Sequence, residues 1–282
     1  MQINPGSLIA RAQRKLMRQQ FLTSKRLAQG WRSWTSPQSP PETVLVAGCQ
    51  RSGTNMVMTA LERSRDTWVY HEYDPKAFDN YLMRPPEVIQ SLVGRAHCPR
   101  VVIKALLESG HLKDLLATFA PARALWVFRD FRDVVNSHLA LWGPDTHRET
   151  IDAVVAGRLD TNWITRAVSP AVAQAVVDHG REGVNGATAC GLFWYMRNAL
   201  LFEQLLECDA RVRVVQYERL VQAPHGQLAA IFAFLGLEYR ETLGEFISPR
   251  SVGKSPPPAV APGVMDLCND LQRRLEALTV AT

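Results

Sequence analysis

The sequence of 282 residues has no run approaching the ~18 to 20 apolar residues that a membrane-spanning helix needs. Its first residues also lack the apolar stretch of a secretory signal, so the expectation is a soluble, cytoplasmic protein. The five cysteines (Cys49, Cys98, Cys190, Cys208 and Cys268) are widely spaced, odd in number and never in a C-x-x-C arrangement. Neither a disulfide framework nor a zinc site is signalled, which fits a reducing compartment. Internal repeats and low-complexity tracts are absent. Acidic charge is the minority sign, 27 residues against 32 basic ones, for a net charge of +5 and a pI near 9.1. That balance favours an anionic partner and leaves a nucleotide, an acidic glycan and a membrane surface open. The basic residues are scattered without an aromatic-rich motif, so a nucleic-acid partner is not expected.

What is present is enough apolar material, 46% of the chain, for one sizeable core. Residues 1–40 read as an N-terminal extension, in which Leu8, Ile9, Leu16, Met17, Phe21 and Leu22 mix with Arg11, Arg14, Lys15, Arg18, Lys25 and Arg26. This basic, loosely amphipathic helix either packs outside the core or touches a membrane surface weakly. Residues 41–282 read as a single domain. After the proline-rich link Pro37 to Pro41, β-rich runs alternate with helical stretches, the pattern of an α/β fold with a parallel sheet flanked by helices. The runs are Thr43 to Ala47, Trp68 to Glu72, Val101 to Lys104, Ala124 to Phe128 and, late in the chain, Val212 to Tyr217. Polar residues close several of them: Glu72, Lys104, Arg129 and Tyr217 with Glu218. In open α/β sheets ligands bind beyond the carboxyl ends of the strands, so these side chains are expected to meet in one crevice. The stretch Asp145 to Cys208 is mostly helical in pattern and is the natural place for a substrate-binding insertion. A last helix is expected over Val264 to Leu278.

Gly48-Cys49-Gln50-Arg51-Ser52-Gly53-Thr54-Asn55 follows an apolar strand and precedes a helical run. Glycine-permitted turns there present backbone N–H groups at a helix N-terminus, a geometry that binds phosphate. The G-x-x-x-x-G spacing matches the nucleoside-triphosphatase P-loop, but Thr54-Asn55 replaces its Lys-[Ser/Thr] ending. The lysine for the β- and γ-phosphates and the hydroxyl for magnesium are both missing. Arg51 supplies a cation one turn earlier instead. A second anion site is read after the fourth strand, in Arg129-Asp130-Phe131-Arg132-Asp133-Val134-Val135-Asn136-Ser137. Asp130 is expected to cap a helix, with Asp133 in its first turn. Arg129 and Ser137, about two helical turns apart, are placed to bracket a phosphate by charge and hydroxyl.

Together, Arg-Ser-Gly-Thr after the first strand and Arg-Asp-x-Arg-x-x-x-x-Ser after a later one resemble the two cofactor motifs of sulfotransferases that use PAPS, 3′-phosphoadenosine 5′-phosphosulfate. The form is similar to bacterial and tyrosylprotein sulfotransferases. The resemblance assigns Arg51, Ser52, Gly53, Thr54 and Asn55 to the 5′-phosphosulfate and Arg129 with Ser137 to the 3′-phosphate. It extends to Val214 through Val221, implying that Tyr217 contacts the cofactor. It also reaches Ser251-Val252-Gly253-Lys254, which resembles a late cofactor-clamping loop: Ser251 toward the sulfate, Lys254 toward the nucleotide phosphate.

On that resemblance Glu72 aligns with the catalytic glutamate of the tyrosylprotein branch and is the expected base, with His71 the alternate. On an alternating strand His71 should face away from Glu72. Lys104 aligns with a lysine proposed to act on the bridging oxygen, and with Arg51 it would offset developing charge. No metal is expected. The acceptor, read as a carbohydrate or small-metabolite hydroxyl or an amine, leaves no signature, although Trp142, Trp163, Trp194 and Tyr195 are candidate stacking platforms. The competing readings are a P-loop kinase or triphosphatase, and a catalytically idle nucleotide-binding protein.

Overall fold

In a computed structural model of the chain, which describes residues 5–35, 40–159, 163–180, 184–248 and 253–279, each of the five apolar runs becomes a strand. The strands are β1 (Glu42–Gly48), β2 (Thr67–Tyr70), β3 (Arg100–Ile103), β4 (Ala122–Phe128) and β5 (Val212–Gln216). They form one five-stranded sheet in the order β2-β3-β1-β4-β5, with every pairing parallel. Three expected strand ends shorten: Glu72 lies in a turn two residues past β2, Lys104 sits just past β3, and Tyr217 opens a helix directly after β5.

The helices are α1 (Pro5–Thr35), α2 (Thr54–Arg63), α3 (Pro86–Gly94), α4 (Leu112–Thr118), α5 (Phe131–Trp142), α6 (Arg148–Val155), α7 (Trp163–Arg166), α8 (Pro170–Gly180), α9 (Gly186–Glu203), α10 (Tyr217–Gln222), α11 (Pro224–Phe234) and α12 (Pro262–Leu278). Side chains alternate across the pleat, so each strand feeds two cores. Val44, Val46, Val102, Leu125 and Val127 pack with Val57, Met58 and Leu61 of α2 and Ile231 and Phe232 of α11. Leu45, Ala47, Val101, Ile103, Trp126 and Phe128 pack on the other face with α5, α9 and α12. Burial on both faces is why β1 reads as an uninterrupted apolar run. The strand order reverses beside β1, which opens the crevice at the end of that strand.

Helix α1 attaches by its polar face. Arg18 pairs in a bidentate manner with Glu62 at the end of α2, its Nε donating over 2.7 Å. Lys25, almost wholly buried, donates to the Glu62 carbonyl at 2.6 Å, and burial lowers its pKa to about 8. Gln29 Nε2 donates to the carbonyls of Arg65 at 2.7 Å and Thr67 at 2.9 Å, beside β2 at the sheet's edge. Burial opposes the charge on Glu62, but hydrogen bonds from His71 and Arg18 outweigh it and bring the carboxyl down to about 2. No helix among the described residues is long and apolar enough to cross a membrane. All five cysteines are free thiols, and only Cys208 is exposed.

Candidate active site

The loop after β1 owes its path to backbone conformations that side chains rarely adopt. Gly48 has φ 128°, and a Cβ there would lie 2.2 Å from the Val127 carbonyl oxygen. Arg51, though not glycine, is held left-handed at φ 66°, a strained choice that persists only where the surroundings enforce it. Gly53 caps α2 at φ 89°, and a Cβ there would meet Tyr217 Cδ2 at 2.2 Å. The first strand's loop and the residue opening α10 are therefore in direct contact, so Tyr217 walls the loop. Gly53→Ala is expected to cost about 1 to 3 kcal/mol by combining φ strain with overpacking. It should also weaken anion binding; thermal unfolding and calorimetric titration with adenosine 3′,5′-bisphosphate check both.

A cleft of about 620 Å³ opens over this loop. Arg51, Gly53, Thr54 and Asn55 line it from the loop, Glu72 and Lys104 from the strand ends, Arg129, Asp133 and Ser137 from α5 and its approach, and Tyr217 and Lys254 from the later segments. Ser52 is in the loop but not at the cleft: its side chain is fully buried behind it. Gly253 lines a neighbouring cavity, its N–H donating to Asp133 Oδ2 at 3.3 Å. Ser251 lies outside the described residues.

At the strand ends, the Lys104 ammonium donates to Glu72 Oε1 at 2.8 Å and to Asn55 Oδ1 at 2.9 Å. This side chain is only 3% exposed, so the ion pair is shielded on the lysine side and more open at Glu72. His71, the neighbour on the chain, turns the other way. Its Nε2 lies 3.3 Å from Glu62 Oε1 and its ring stacks on Tyr73, outside the cleft.

Arg51 joins the two segments, its Nε donating to Ser137 Oγ at 2.9 Å. Asp130 caps α5 by accepting from the Arg132 N–H, as its position implies. Asp133 does more than sit in a first turn. Its carboxylate takes a 2.8 Å hydrogen bond from Arg129, whose guanidinium lies 4.6 Å from the Tyr217 ring centroid. Glu218 accepts from the Asp130 N–H at 3.1 Å, and burial raises its pKa.

Beneath the loop is a pair of imidazoles that the sequence does not announce. His138 Nε2 faces the Gln50 carbonyl at 3.3 Å, and His138 Nδ1 faces His147 Nε2 at 2.8 Å. A carbonyl only accepts, so His138 donates from Nε2 and accepts at Nδ1 from the His147 Nε2–H, which makes the His138 ring neutral. Desolvation lowers the His138 pKa to about 4 and that of His147 to about 3. His147 also holds a left-handed backbone and stacks on Phe193 at 3.7 Å. Cys190 brings a third ligand-type atom within 4.8 Å of the pair, but none of the three lines the cleft.

Both folded-state pKa values lie below the unfolded value of ~6.5, so the stability they contribute is complete above that pH. It is lost as the pH falls from about 6.5 toward 4, because only the unfolded chain takes up the protons. The loss expected at pH 5 is about 2 to 4 kcal/mol for the pair. His147→Asn, which tolerates the left-handed backbone, should flatten the fall in melting temperature between pH 7 and pH 5, as calorimetry would register.

Of the four aromatic candidates, only Trp142 lines the cleft, at 50% exposure. Trp194 is fully buried and donates from Nε1 to the Arg129 carbonyl at 3.0 Å, so it positions that backbone instead. Trp163 lies 5.1 Å from the buried Arg197 guanidinium, and Tyr195 lines a separate hollow near α12. The stretch 145–208 is helical as expected, yet none of its described residues lines the cleft, and α9 is buried along nearly its whole length.

Known proteins give this arrangement a family. The chain is similar to the sulfotransferase domain from the curacin biosynthetic pathway at 12% identity, covering 83% of this chain and 99% of that one, with a TM-score of 0.54. It is also similar to a sulfotransferase from Alicyclobacillus acidocaldarius (15% identity, 86% and 96% coverage, TM-score 0.47). A mouse sulfotransferase, SULT7A1, complexed with PAP, is similar at 13% identity, 84% and 82% coverage and a TM-score of 0.39. At these identities the likeness of the first is one of fold, a central parallel sheet flanked by helices. No curated protein sequence matches the chain. The family profile described as "Sulfotransferase domain" matches residues 41–251, so the chain belongs to the sulfotransferase domain family.

Proposed function

We propose that the chain moves a sulfuryl group from PAPS to a hydroxyl or amine of an acceptor, without a metal, within a unit spanning residues 41–282 to which residues 1–40 are an extension. The observation that carries this reading is the Lys104 ammonium held between Asn55 and Glu72. In a triphosphatase loop the residue at the Asn55 position gives magnesium a hydroxyl. Here it is a carboxamide that accepts from a fixed organic cation. That substitution counts against the kinase or triphosphatase reading. An idle protein has no need of a carboxylate and an ammonium paired at the mouth of a phosphate loop.

The donor set in the cleft fits an anionic nucleotide: Arg51, Lys104, Arg129 and Lys254 outnumber Glu72 and Asp133. The loop amides at the start of α2 and the Ser137 hydroxyl add neutral donors. PAPS supplies an activated sulfuryl group on a phosphate leaving group. Loose in-line transfer of this kind depends on positioning and charge stabilisation. Glu72 receives the acceptor proton; Lys104 and Arg51 stabilise charge on the sulfuryl oxygens and the leaving group. Arg129, Ser137, Tyr217, Gly253 and Lys254, with Ser251, hold the nucleotide. Trp142, half-exposed at the cleft, supports an acceptor that carries a ring, such as a sugar or small metabolite. The free thiols support a cytoplasmic setting.

The test is titration of adenosine 3′,5′-bisphosphate in excess chelator beside ATP with magnesium, followed by transfer of label from PAPS to an extract. Tight chelator-insensitive binding and a labelled product are expected. Magnesium-dependent ATP turnover would establish the kinase reading, and binding without any labelled product the idle one.

A further inference from the structure

Under the phosphate loop, three separate elements bring ligand-type atoms to one point. His138 lies on α5, His147 immediately precedes α6, and Cys190 lies on α9. One ligand-type atom from each falls within 4.8 Å of the other two, and His138 and Cys190 are buried. Zinc holds imidazole nitrogens at about 2.0 to 2.1 Å and thiolate sulfur at about 2.3 Å, which sets two nitrogens roughly 3.3 Å apart and a nitrogen and a sulfur roughly 3.6 Å apart. His138 Nδ1 and His147 Nε2 are now 2.8 Å apart. Shifts of about half an ångström at the rings and about one at the sulfur bring the set to those distances.

The surroundings are those of a ligand set. A metal-bound imidazole ordinarily donates its other N–H to a carbonyl or carboxylate, which fixes its tautomer. His138 already does so: its Nε2 faces the Gln50 carbonyl at 3.3 Å, which leaves a lone pair on Nδ1. His147 stacks on Phe193 at 3.7 Å, which fixes its ring plane. The Thr146 carbonyl lies 3.7 Å from Cys190 Sγ, and the Thr146 hydroxyl is buried without a hydrogen-bond partner. Orphaned polar atoms of that kind are satisfied by a water or an ion. An entry path exists as well, because His147 lines a hollow of about 410 Å³ with Asp145, Arg148, Glu149, Thr150 and Asp152. Arg148 is held by Asp145 at 2.8 Å, so Glu149 and Asp152 leave the mouth negative, the sign that gathers cations. Arg51 opposes positive charge at His138, and a thiolate at Cys190 supplies the compensating charge.

We propose that His138, His147 and Cys190 bind one zinc ion, which ties α5, α9 and the start of α6 together beneath the phosphate loop. Two imidazoles and a thiolate suit zinc and do not suit magnesium or calcium, which prefer oxygen. On binding, the Cys190 S–H proton passes to solvent and the sulfur bonds the ion. His147 gives up its Nε2 proton and takes one at Nδ1, so the ring stays neutral. A water entering through the hollow fills the fourth position. The ion is structural: none of its ligands lines the cleft, so the inference is independent of the transfer chemistry proposed there.

The untagged full chain, freed of metal, would be titrated with zinc against a chromophoric indicator, and with cobalt as a spectroscopic substitute. One equivalent of zinc per chain, a rise in melting temperature and a thiolate-to-cobalt charge-transfer band are expected. Cys190→Ser should abolish the band. Cys190→Ser and His147→Asn, the latter tolerant of the left-handed backbone, should each weaken zinc binding by more than the loss, about ten- to hundredfold, that follows removal of a supporting partner. Cys208→Ser removes the exposed thiol and should leave binding unchanged. Melting temperatures of the metal-free variants within a few degrees of the metal-free parent would show that they fold. A folded parent that binds no zinc at micromolar concentration overturns the proposal. So does binding that survives both site variants, or that disappears with Cys208→Ser.

Discussion

Glu72→Gln is expected to lower the rate of sulfuryl transfer by about 10²- to 10⁴-fold, the range in which a positioned general base contributes. The change keeps the side chain's shape and one oxygen that can still accept from Lys104, so binding of adenosine 3′,5′-bisphosphate should stay within a few-fold of the parent. Initial rates with labelled PAPS and calorimetric titration on the same preparation separate the two effects. His71→Asn is the matched control. Its ring is stacked on Tyr73 and faces Glu62, so the substitution should change stability more than turnover. If Glu72→Gln keeps a third or more of the parent rate, the carboxylate is not the base and its pairing with Lys104 is structural.

Lys104→Ala is expected to depress turnover by about 10²- to 10³-fold, comparable with losing one preorganised donor to developing negative charge. The side chain touches both Asn55 and Glu72, so its removal frees the loop carboxamide and the Glu72 carboxylate together. Non-additivity follows: the double variant Glu72→Gln with Lys104→Ala should lose little more than the worse single variant, because the two groups act as a unit. Fully additive losses would mean independent roles. A rise in KM for PAPS with unchanged kcat would place Lys104 in ground-state binding alone.

Much of this site was legible because it is built at strand ends. The run Thr43 to Ala47 reads as a strand buried on both faces, and the residues that follow such strands converge by topology. Glu72, Lys104, Arg129 and Tyr217 were located that way, and all four line the cleft. What escaped was whatever depends on direction in space. The ammonium bridge between Asn55 and Glu72 joins residues 49 and 32 positions from Lys104, and no periodicity encodes it. Asp133 looked like a helix-start carboxylate until Arg129 came back across the turn to meet it. The His138 and His147 pair depends on a left-handed His147, which a sequence does not mark. Trp194 and Tyr195 were not separable because α9 is apolar nearly all round, so its pattern could not say which aromatics face a ligand and which fill the interior, and Trp163 sits apart on the short helix α7.

The hydrogen bonds from Gln29 to the carbonyls of Arg65 and Thr67 have a consequence beyond attachment. β2 is a terminal strand of the sheet, and its outer rim is a row of backbone groups able to recruit a strand from any other chain. Gln29 occupies one carbonyl of that rim, at Thr67, and Lys25 bonds to the Thr67 hydroxyl beside it. A strand recruited to this edge would have to displace the Gln29 bond to Thr67. A chain cut after residue 35 should keep its core but form larger, concentration-dependent species in light scattering. A truncated chain that stays monomeric would mean that the short length of β2, four residues, is protection enough.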